Sequence, residues 1–320
     1  MGDTNKTALV LGATGGIGGA VAAKLLRRGW TVRALRRGSS TRPAGNGPEW
    51  IAGDAMNGAD VRSAARGTSL IVHAVNPPGY WNWGTLVPPM LDNTIAAAEE
   101  TGARIVLPGG VYNYGPDAFP NVAEDAPQHP ISRKGVIRVE MERRLERAAD
   151  RGVRMLIVRA GDFFGPAPGG SWFSQGLVKP GRPVTAITTL GRPGVGHQWA
   201  YLPDVAETIA ELVGRDLNAF ERFNMDGHWD ADGTAMSAAI RAAVGRSVPV
   251  KALPWWLLRL ASRVVPVFRE MAEMRYLWRT PIRLDNRLLV RTLGAEPHTP
   301  LDFTVRATLV GLGCIPNETA

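Results

Sequence analysis

Short apolar runs alternate with stretches of helical spacing through the first half of the chain. Ala8–Leu11 is an uninterrupted apolar run and predicts a buried strand. Ile17–Arg28 repeats its apolar residues at helical spacing and stops at Gly29, and Thr31–Leu35 predicts a second strand. Further strands are predicted at Trp50–Ala52, Leu70–Ala74, Arg104–Leu107 and Arg154–Arg159, with helices over Leu91–Thr101 and Gly135–Ala149. Strands apolar on both faces, alternating with helices, imply an α/β fold around a parallel, doubly wound sheet. After Arg159 the pattern loosens. Gly161–Gly196 is rich in Gly, Pro and Trp and reads as loops, a strand near Trp199–Leu202 and a helix over Val205–Val213 return to the sheet, and Asp230–Ala320 is mainly helical, punctuated by prolines.

Residues 9–20 read LVLGATGGIGGA. Gly12, Gly15 and Gly18 recur at GxxGxxG spacing between a strand and a helix, the order a pyrophosphate-binding turn requires. The first glycine permits the tight turn, the second lets backbone approach phosphate, and the third lets helix and strand pack closely. Thr14, Gly16 and Ile17 fall in the same turn, where the first N–H groups of the helix face an anion. The second strand ends in Arg36, followed by Arg37, where an NAD-preferring site carries Asp or Glu. A guanidinium forks onto a 2′-phosphate that a carboxylate would repel, so the expected cofactor is NADP(H). The expected organisation is a Rossmann domain over residues 1–165 with a return segment near 197–228. Residues 166–196 and 229–320 then form a smaller, mainly helical C-terminal substrate lobe.

Charge adds little to this picture. The net charge is +8, but the arginines are spread along the chain among acidic residues, as in MERRLERAADR, which is the pattern of solvated helix faces. No nucleic-acid partner is expected from it, although a basic protein suits an anionic cofactor. The single cysteine, Cys314, excludes an intramolecular disulfide and a cysteine metal cluster, and no metal is expected. The opening residues lack the pattern of a signal peptide, and Pro254–Phe268 is broken by Arg259 and Arg263, so no membrane span or membrane partner is expected and the reading is cytoplasmic.

With these motifs the sequence resembles the short-chain dehydrogenase/reductase superfamily, in its extended or atypical branch, which holds NAD-dependent epimerase/dehydratase-like proteins. TALVLGATGGIG looks like that branch's glycine turn, Gly53-Asp54 its adenine-contacting pair, and Ile71-Val72-His73-Ala74 its cofactor-lining strand end. Tyr114-Gly115-Pro116, the Tyr201–Ala206 segment, and Leu284-Asp285 through Leu293-Gly294 to Pro300-Leu301 resemble later elements, so the resemblance spans nearly the whole chain. It implies that Asp54, Ala55, His73, Ala74 and Val75 touch the cofactor.

The superfamily's chemistry rests on Tyr-x-x-x-Lys with an upstream Ser or Thr. Tyr80, Tyr112, Tyr114, Tyr201 and Tyr276 are followed four residues on by Gly84, Pro116, Ala118, Val205 and Thr280, so no such pair exists here. Anchored on Glu142, the resemblance puts Lys134 in the tyrosine slot and Arg138 in the lysine slot. Anchored on Tyr114-Gly115, it puts Gly110 in the serine slot. Lys134 reads two ways: as a proton donor, its acidity raised by Arg138, or as part of a basic helix face touching phosphate, ribose or solvent. Arg138 keeps a donor where the ribose would lie. Tyr112, Asp162, His129 and His197 are alternative proton donors. Tyr80, Trp81, Trp83, Tyr114, Phe163 and Trp172 crowd the segments flanking the nicotinamide, which suits an aromatic or apolar small-molecule substrate; equally, these rings could serve to staple the two lobes. The resulting expectation is an NADPH-dependent oxidoreductase reducing an aromatic or apolar carbonyl, enone or imine with a nonstandard donor. A catalytically silent NADP(H)-binding sensor is the alternative, and a sugar-nucleotide epimerase or dehydratase a third reading.

Overall fold

Ala8, Leu9 and Val10 have no exposed surface because the first strand lies inside a sheet covered on both faces. In the computed structural model, which describes residues 6–39, 45–77, 82–167, 169–262 and 266–317, the chain opens with β1 (Thr7–Leu11), α1 (Gly16–Arg27), β2 (Thr31–Arg36), β3 (Glu49–Ala52), α2 (Gly58–Ala65) and β4 (Leu70–His73). There follow α3 (Trp83–Thr101), β5 (Arg104–Gly109), the short β6 (Asn121–Val122), α4 (Arg133–Ala149), β7 (Met155–Arg159), β8 (Asp162–Phe164), β9 (Ile187–Thr189), β10 (His197–Tyr201), α5 (Leu202–Val213) and β11 (Phe220–Asn224). The late elements are β12 (His228–Asp230), α6 (Ala235–Val244), β13 (Val250–Ala252), α7 (Trp255–Ala261), α8 (Pro266–Glu273), β14 (Arg283–Leu284), α9 (Arg287–Leu293) and α10 (Leu301–Gly311).

The main sheet is parallel throughout, in the order β11-β7-β5-β4-β1-β2-β3. Side chains alternate across it with the period of two that strands impose. Leu9, Leu11, Ile71, Ile105 and Ile157 face α2, α3 and α4, whereas Ala8, Val10, Val72, Val106 and Val158 face α1 and α5. This is the doubly wound Rossmann architecture predicted from the sequence. The reversal of strand order beside β1 opens a crevice at the carboxyl ends of the strands, where ligands bind in such sheets.

Three small sheets attach the later chain: β12-β10-β8, β13-β9 and β14-β6. Their side chains build a separate core in which Phe164, Phe173, Trp199, Met236, Ile240, Trp278, Val305 and Leu309 meet. Beneath the crevice, Arg159 of β7 is fully buried. It donates from Nε to Glu142 of α4 at 3.0 Å, from Nη2 to the same carboxylate at 2.5 Å, and from Nη1 to the Glu124 carbonyl at 2.9 Å.

Several elements depart from the sequence expectation. The strand at Trp199–Tyr201 does not return to the main sheet: β10 pairs with β8 and β12, and the seventh strand of the main sheet is β11, whose FERFN has only two buried residues and so carries no apolar run to mark it. The third helix begins at Trp83, not Leu91, and runs through Pro88 and Pro89. Trp83, Val87, Met90 and Leu91 extend its buried stripe across those prolines, and their burial offsets the lost backbone hydrogen bonds. The helix α2, capped by Asn57 accepting from the Ala59 amide at 3.0 Å, was not expected, because its apolar residues are mostly alanine.

Candidate functional site

A cleft of about 1470 Å³ runs along the carboxyl ends of β1, β2, β4, β5 and β7. Its first wall is the glycine turn. Gly12 has φ of +88°, and a side chain there would meet the Ala74 carbonyl oxygen at 2.5 Å. The Gly15 amide donates to the Gly12 carbonyl at 2.9 Å and closes the turn, and the first turn of α1 carries no acidic residue. Gly12, Thr14, Gly15, Gly16 and Ile17 line the cleft. Gly18 is behind them, where any side chain would overlap the Gly12 carbonyl oxygen, so its part is to seat α1 on the turn. The result is a cradle of backbone with unpaired helix N–H groups, which fits a pyrophosphate.

Arg36 and Arg37 line one end of the cleft, and the Arg36 guanidinium lies 4.8 Å from the Trp50 ring centroid. Asp54 and Ala55 line it beside them. The Asp54 carboxylate accepts from the Met56 amide at 2.9 Å, and the Asp54 amide donates to Asp60 at 2.9 Å. The Ala55 carbonyl accepts from Asn93 at 2.9 Å. These bonds tie the loop to α2 and α3. Among the described residues lining the cleft, Asp54 and Asp162 are the acidic ones, against Arg36, Arg37, Lys134 and Arg138. The cleft therefore favours an anionic ligand.

His73, Ala74 and Val75 form the middle wall. The Thr94 hydroxyl donates to the Met90 carbonyl at 3.1 Å, so it accepts from His73 Nδ1 at 2.8 Å. That fixes the tautomer and leaves Nε2 as a buried lone pair with no partner among the described residues. Burial, and then the nearby Arg138 charge, lower the His73 pKa to about 3 from its ordinary 6.5. An unfolded chain protonates this ring near 6.5 and the folded protein only near 3. Native stability therefore falls by about 1.4 kcal/mol per pH unit between those values as pH drops, and is insensitive to this group above them. His73→Gln is expected to remove one proton's worth of that slope in denaturant titrations across acid pH. An unchanged slope would contradict the assignment.

Lys134 and Arg138 lie one turn apart on α4, whose start is capped by Ser132 accepting from the Gly135 amide at 3.1 Å. Both line the cleft, as does half-buried Tyr112. Lys134 is only 4% exposed, which removes solvent from the possible partners of a basic helix face and leaves phosphate, ribose or substrate. The Arg138 guanidinium stands 5.3 Å from the Trp83 ring centroid. Gly110, in the serine slot, also lines the cleft, and an added Cβ would find its nearest neighbour 3.9 Å away. Gly135 differs: a Cβ would overlap the Tyr112 carbonyl oxygen, since α4 packs its first turn against that backbone. Gly110→Ala is therefore expected to leave thermal stability unchanged, whereas Gly135→Ala costs about 1–3 kcal/mol. Equal effects in a melting experiment would contradict this packing.

Of the aromatic residues expected at the substrate, Trp83, Phe163 and Trp172 line the cleft. Tyr114 does not. It is fully buried with Val111, Val122 and Leu284, its ring 5.6 Å from the Arg159 guanidinium, because the turn after β5 directs it down toward that ion pair. Tyr80 and Trp81 lie outside the described residues. His129 is on the surface, paired with Asp117 at 2.7 Å, and so is not a donor in the cleft. Asp162 lines the cleft, with His197 behind it at 2.9 Å, stacked on Trp278. The sequence reading missed Met90, Met141, Ser171, Gln175, Met271 and Met274 in the lining. Helical spacing could have placed Met90 and Met141 on the sheet side of their helices, but no local signal brings Met271 and Met274 to a cleft built by the first half of the chain. Among the described residues no group of His, Cys, Asp and Glu is arranged to hold a metal ion, and no helix is long and apolar enough to cross a membrane.

The model of a family described as NAD(P)H-binding matches residues 12–171, half of the chain. No curated protein matches significantly. Solved structures match over nearly the full length. That of gox2253 is 21% identical, covering 96% of this chain and 98% of that one, with a TM-score of 0.75. MoeE5 in complex with UDP-glucose and NAD is 19% identical, with coverage of 95% and 98% and a TM-score of 0.73. The UDP-glucose 4-epimerase from Bifidobacterium longum in complex with NAD+ and UDP is 15% identical, with coverage of 96% and 97% and a TM-score of 0.73. At such identities the likeness is one of fold.

Proposed function

Because the chain belongs to the NAD(P)H-binding family, on a fold of the extended short-chain dehydrogenase/reductase type, we propose that it is an NADPH-dependent reductase of an apolar or aromatic carbonyl, enone or imine, with Lys134 as the proton donor. The observation that carries this reading is the burial of Lys134 in the wall of the cleft, in the slot where the superfamily keeps its tyrosine, with Arg138 one turn on. Lys134 thereby sets an ammonium donor in the wall of the cleft, where the superfamily's tyrosine hydroxyl would stand.

The residues divide the work along the cleft. The turn from Gly12 to Ile17 would hold the pyrophosphate, Arg36 and Arg37 the 2′-phosphate, and Arg138 the nicotinamide ribose. The bound cofactor supplies a hydride. Lys134 holds a proton at Nζ for the substrate oxygen or nitrogen, so that hydride plus proton complete a two-electron reduction, and solvent returns the proton to the amine afterwards. Trp83, Phe163, Trp172, Met90, Met271 and Met274 give that end of the cleft an apolar lining, which excludes water and supports the substrate class.

The test is NADPH oxidation by the purified protein across a panel of aldehydes, enones and imines. Turnover is expected with aromatic and apolar members. If NADPH binds tightly and nothing on the panel is reduced, the catalytically silent sensor replaces the enzyme.

A further inference from the structure

Trp256 is 71% exposed, Leu260 59% and Leu257 49%, at adjoining positions on one stripe of α7. Trp255 beside them faces the other way. Its indole Nε1 donates to the Leu190 carbonyl at 2.8 Å, and its ring packs on the C-terminal core. The helix is thus pinned on one side and bare on the other.

The surroundings of the bare stripe are basic. Arginines flank it on the Trp255 side: Arg259 lies one turn from Trp255 on α7 and is exposed, as are Arg192 and Arg279. The Arg275 guanidinium lies 5.7 Å from the Trp255 ring, and burial, then Arg279, Arg192 and Arg259, lower its pKa. The arginines therefore cluster within Coulombic reach of one another. Glu273, at the end of α8, is engaged by Arg133 at 2.9 Å and does not neutralise them.

We propose that this face docks on an anionic membrane surface, with α7 in the interfacial plane, Trp256, Leu257 and Leu260 in the acyl boundary and the arginines at the lipid phosphates. Tryptophan and leucine on one face with arginine beside it is the composition of an interfacial helix. A second copy of the chain fits less well, because a two-fold contact here would set Arg259, Arg192 and Arg279 against their own duplicates. Arg259, one of the two arginines that exclude a membrane span within Pro254–Phe268, thus favours a position on the membrane. The expectation of no membrane partner came from hydropathy, which cannot see that Trp256 faces outward. Docking does not depend on the reductase reading. As a corollary that does, α8 packs on α7 and carries Met271 to the cleft, so a docked molecule would meet apolar substrates where they concentrate.

The experiment is co-sedimentation of the full chain with vesicles of phosphatidylcholine alone or with about one-third phosphatidylglycerol. Binding is expected only to the anionic vesicles, with release at about 0.5 M salt. The Trp256→Ser, Leu257→Ser, Leu260→Ser triple variant and the single Arg259→Glu variant are each expected to lower partition about tenfold or more while melting and binding NADPH as wild type does. Absence of binding to anionic vesicles, or equal binding by the variants, would overturn the proposal. So would a wild-type dimer in sedimentation velocity that the triple variant abolishes without any vesicle binding, which would assign the face to self-association.

Discussion

Lys134→Met lowers the rate of NADPH-dependent reduction by about 10²–10⁴ while leaving NADPH affinity unchanged, the size of effect expected when a general acid is removed. Methionine matches the lysine stem in length and is apolar, so it fills the same buried position on α4 without a proton to give. Arg138→Met is expected to do the converse, weakening cofactor binding, because the nicotinamide ribose is the partner proposed for its guanidinium. Tyr112→Phe separates the nearest alternative. Tyr112 also lines the cleft, and loss of turnover in Tyr112→Phe with full activity in Lys134→Met would transfer the donor's role to the tyrosine. Single-turnover rates and cofactor titrations on the three variants distinguish these outcomes.

The Arg36→Ala, Arg37→Ala double variant loses affinity for NADPH by about 1.5–3 kcal/mol for each charge-assisted fork removed, with little change for NADH. The difference arises because only NADPH carries the 2′-phosphate. Arg36 is held in place by Trp50 beneath its guanidinium, whereas Arg37 is exposed and reaches the same end of the cleft from the loop after β2. Calorimetric titration with both nucleotides checks the prediction. Equal losses for NADH and NADPH would mean that the pair does not read the 2′-phosphate.

The cofactor half of the site was legible because its chemistry is written in consecutive residues. An apolar run ending at Leu11 and glycines spaced by three before a helical stretch specify a strand, a tight turn and a helix in that order, and residues 7–36 fold accordingly. The substrate half was legible only in part. Trp83, Phe163 and Trp172 lie in segments that follow β4 and β7 on the cleft side of the sheet: Trp83 opens α3, Phe163 is within β8, and Trp172 comes in the chain after it. Tyr114 follows a strand in the same way, yet it turns down onto the buried Arg159–Glu142 pair, which belongs to the later α4 and β7 and leaves no mark on the local pattern around the tyrosine. The burial of Lys134 depends on Gly135 packing its turn against Tyr112, again a contact invisible to local pattern. Prolines at 88 and 89 hid the start of α3, since local propensity argues for a break that tertiary burial of Trp83 and Val87 overrides.

Lys134 is proposed to face the substrate oxygen or nitrogen across a cleft filled by NADPH. A crystal structure of the NADPH complex decides it. Such a structure is expected to show the 2′-phosphate against Arg36 and Arg37, the pyrophosphate on the turn from Gly12 to Ile17, and the nicotinamide C4 face open to a space bounded by Lys134 Nζ and the apolar wall of Trp83 and Trp172. A nicotinamide face covered by a side chain, or Lys134 bound to phosphate away from that face, would contradict it.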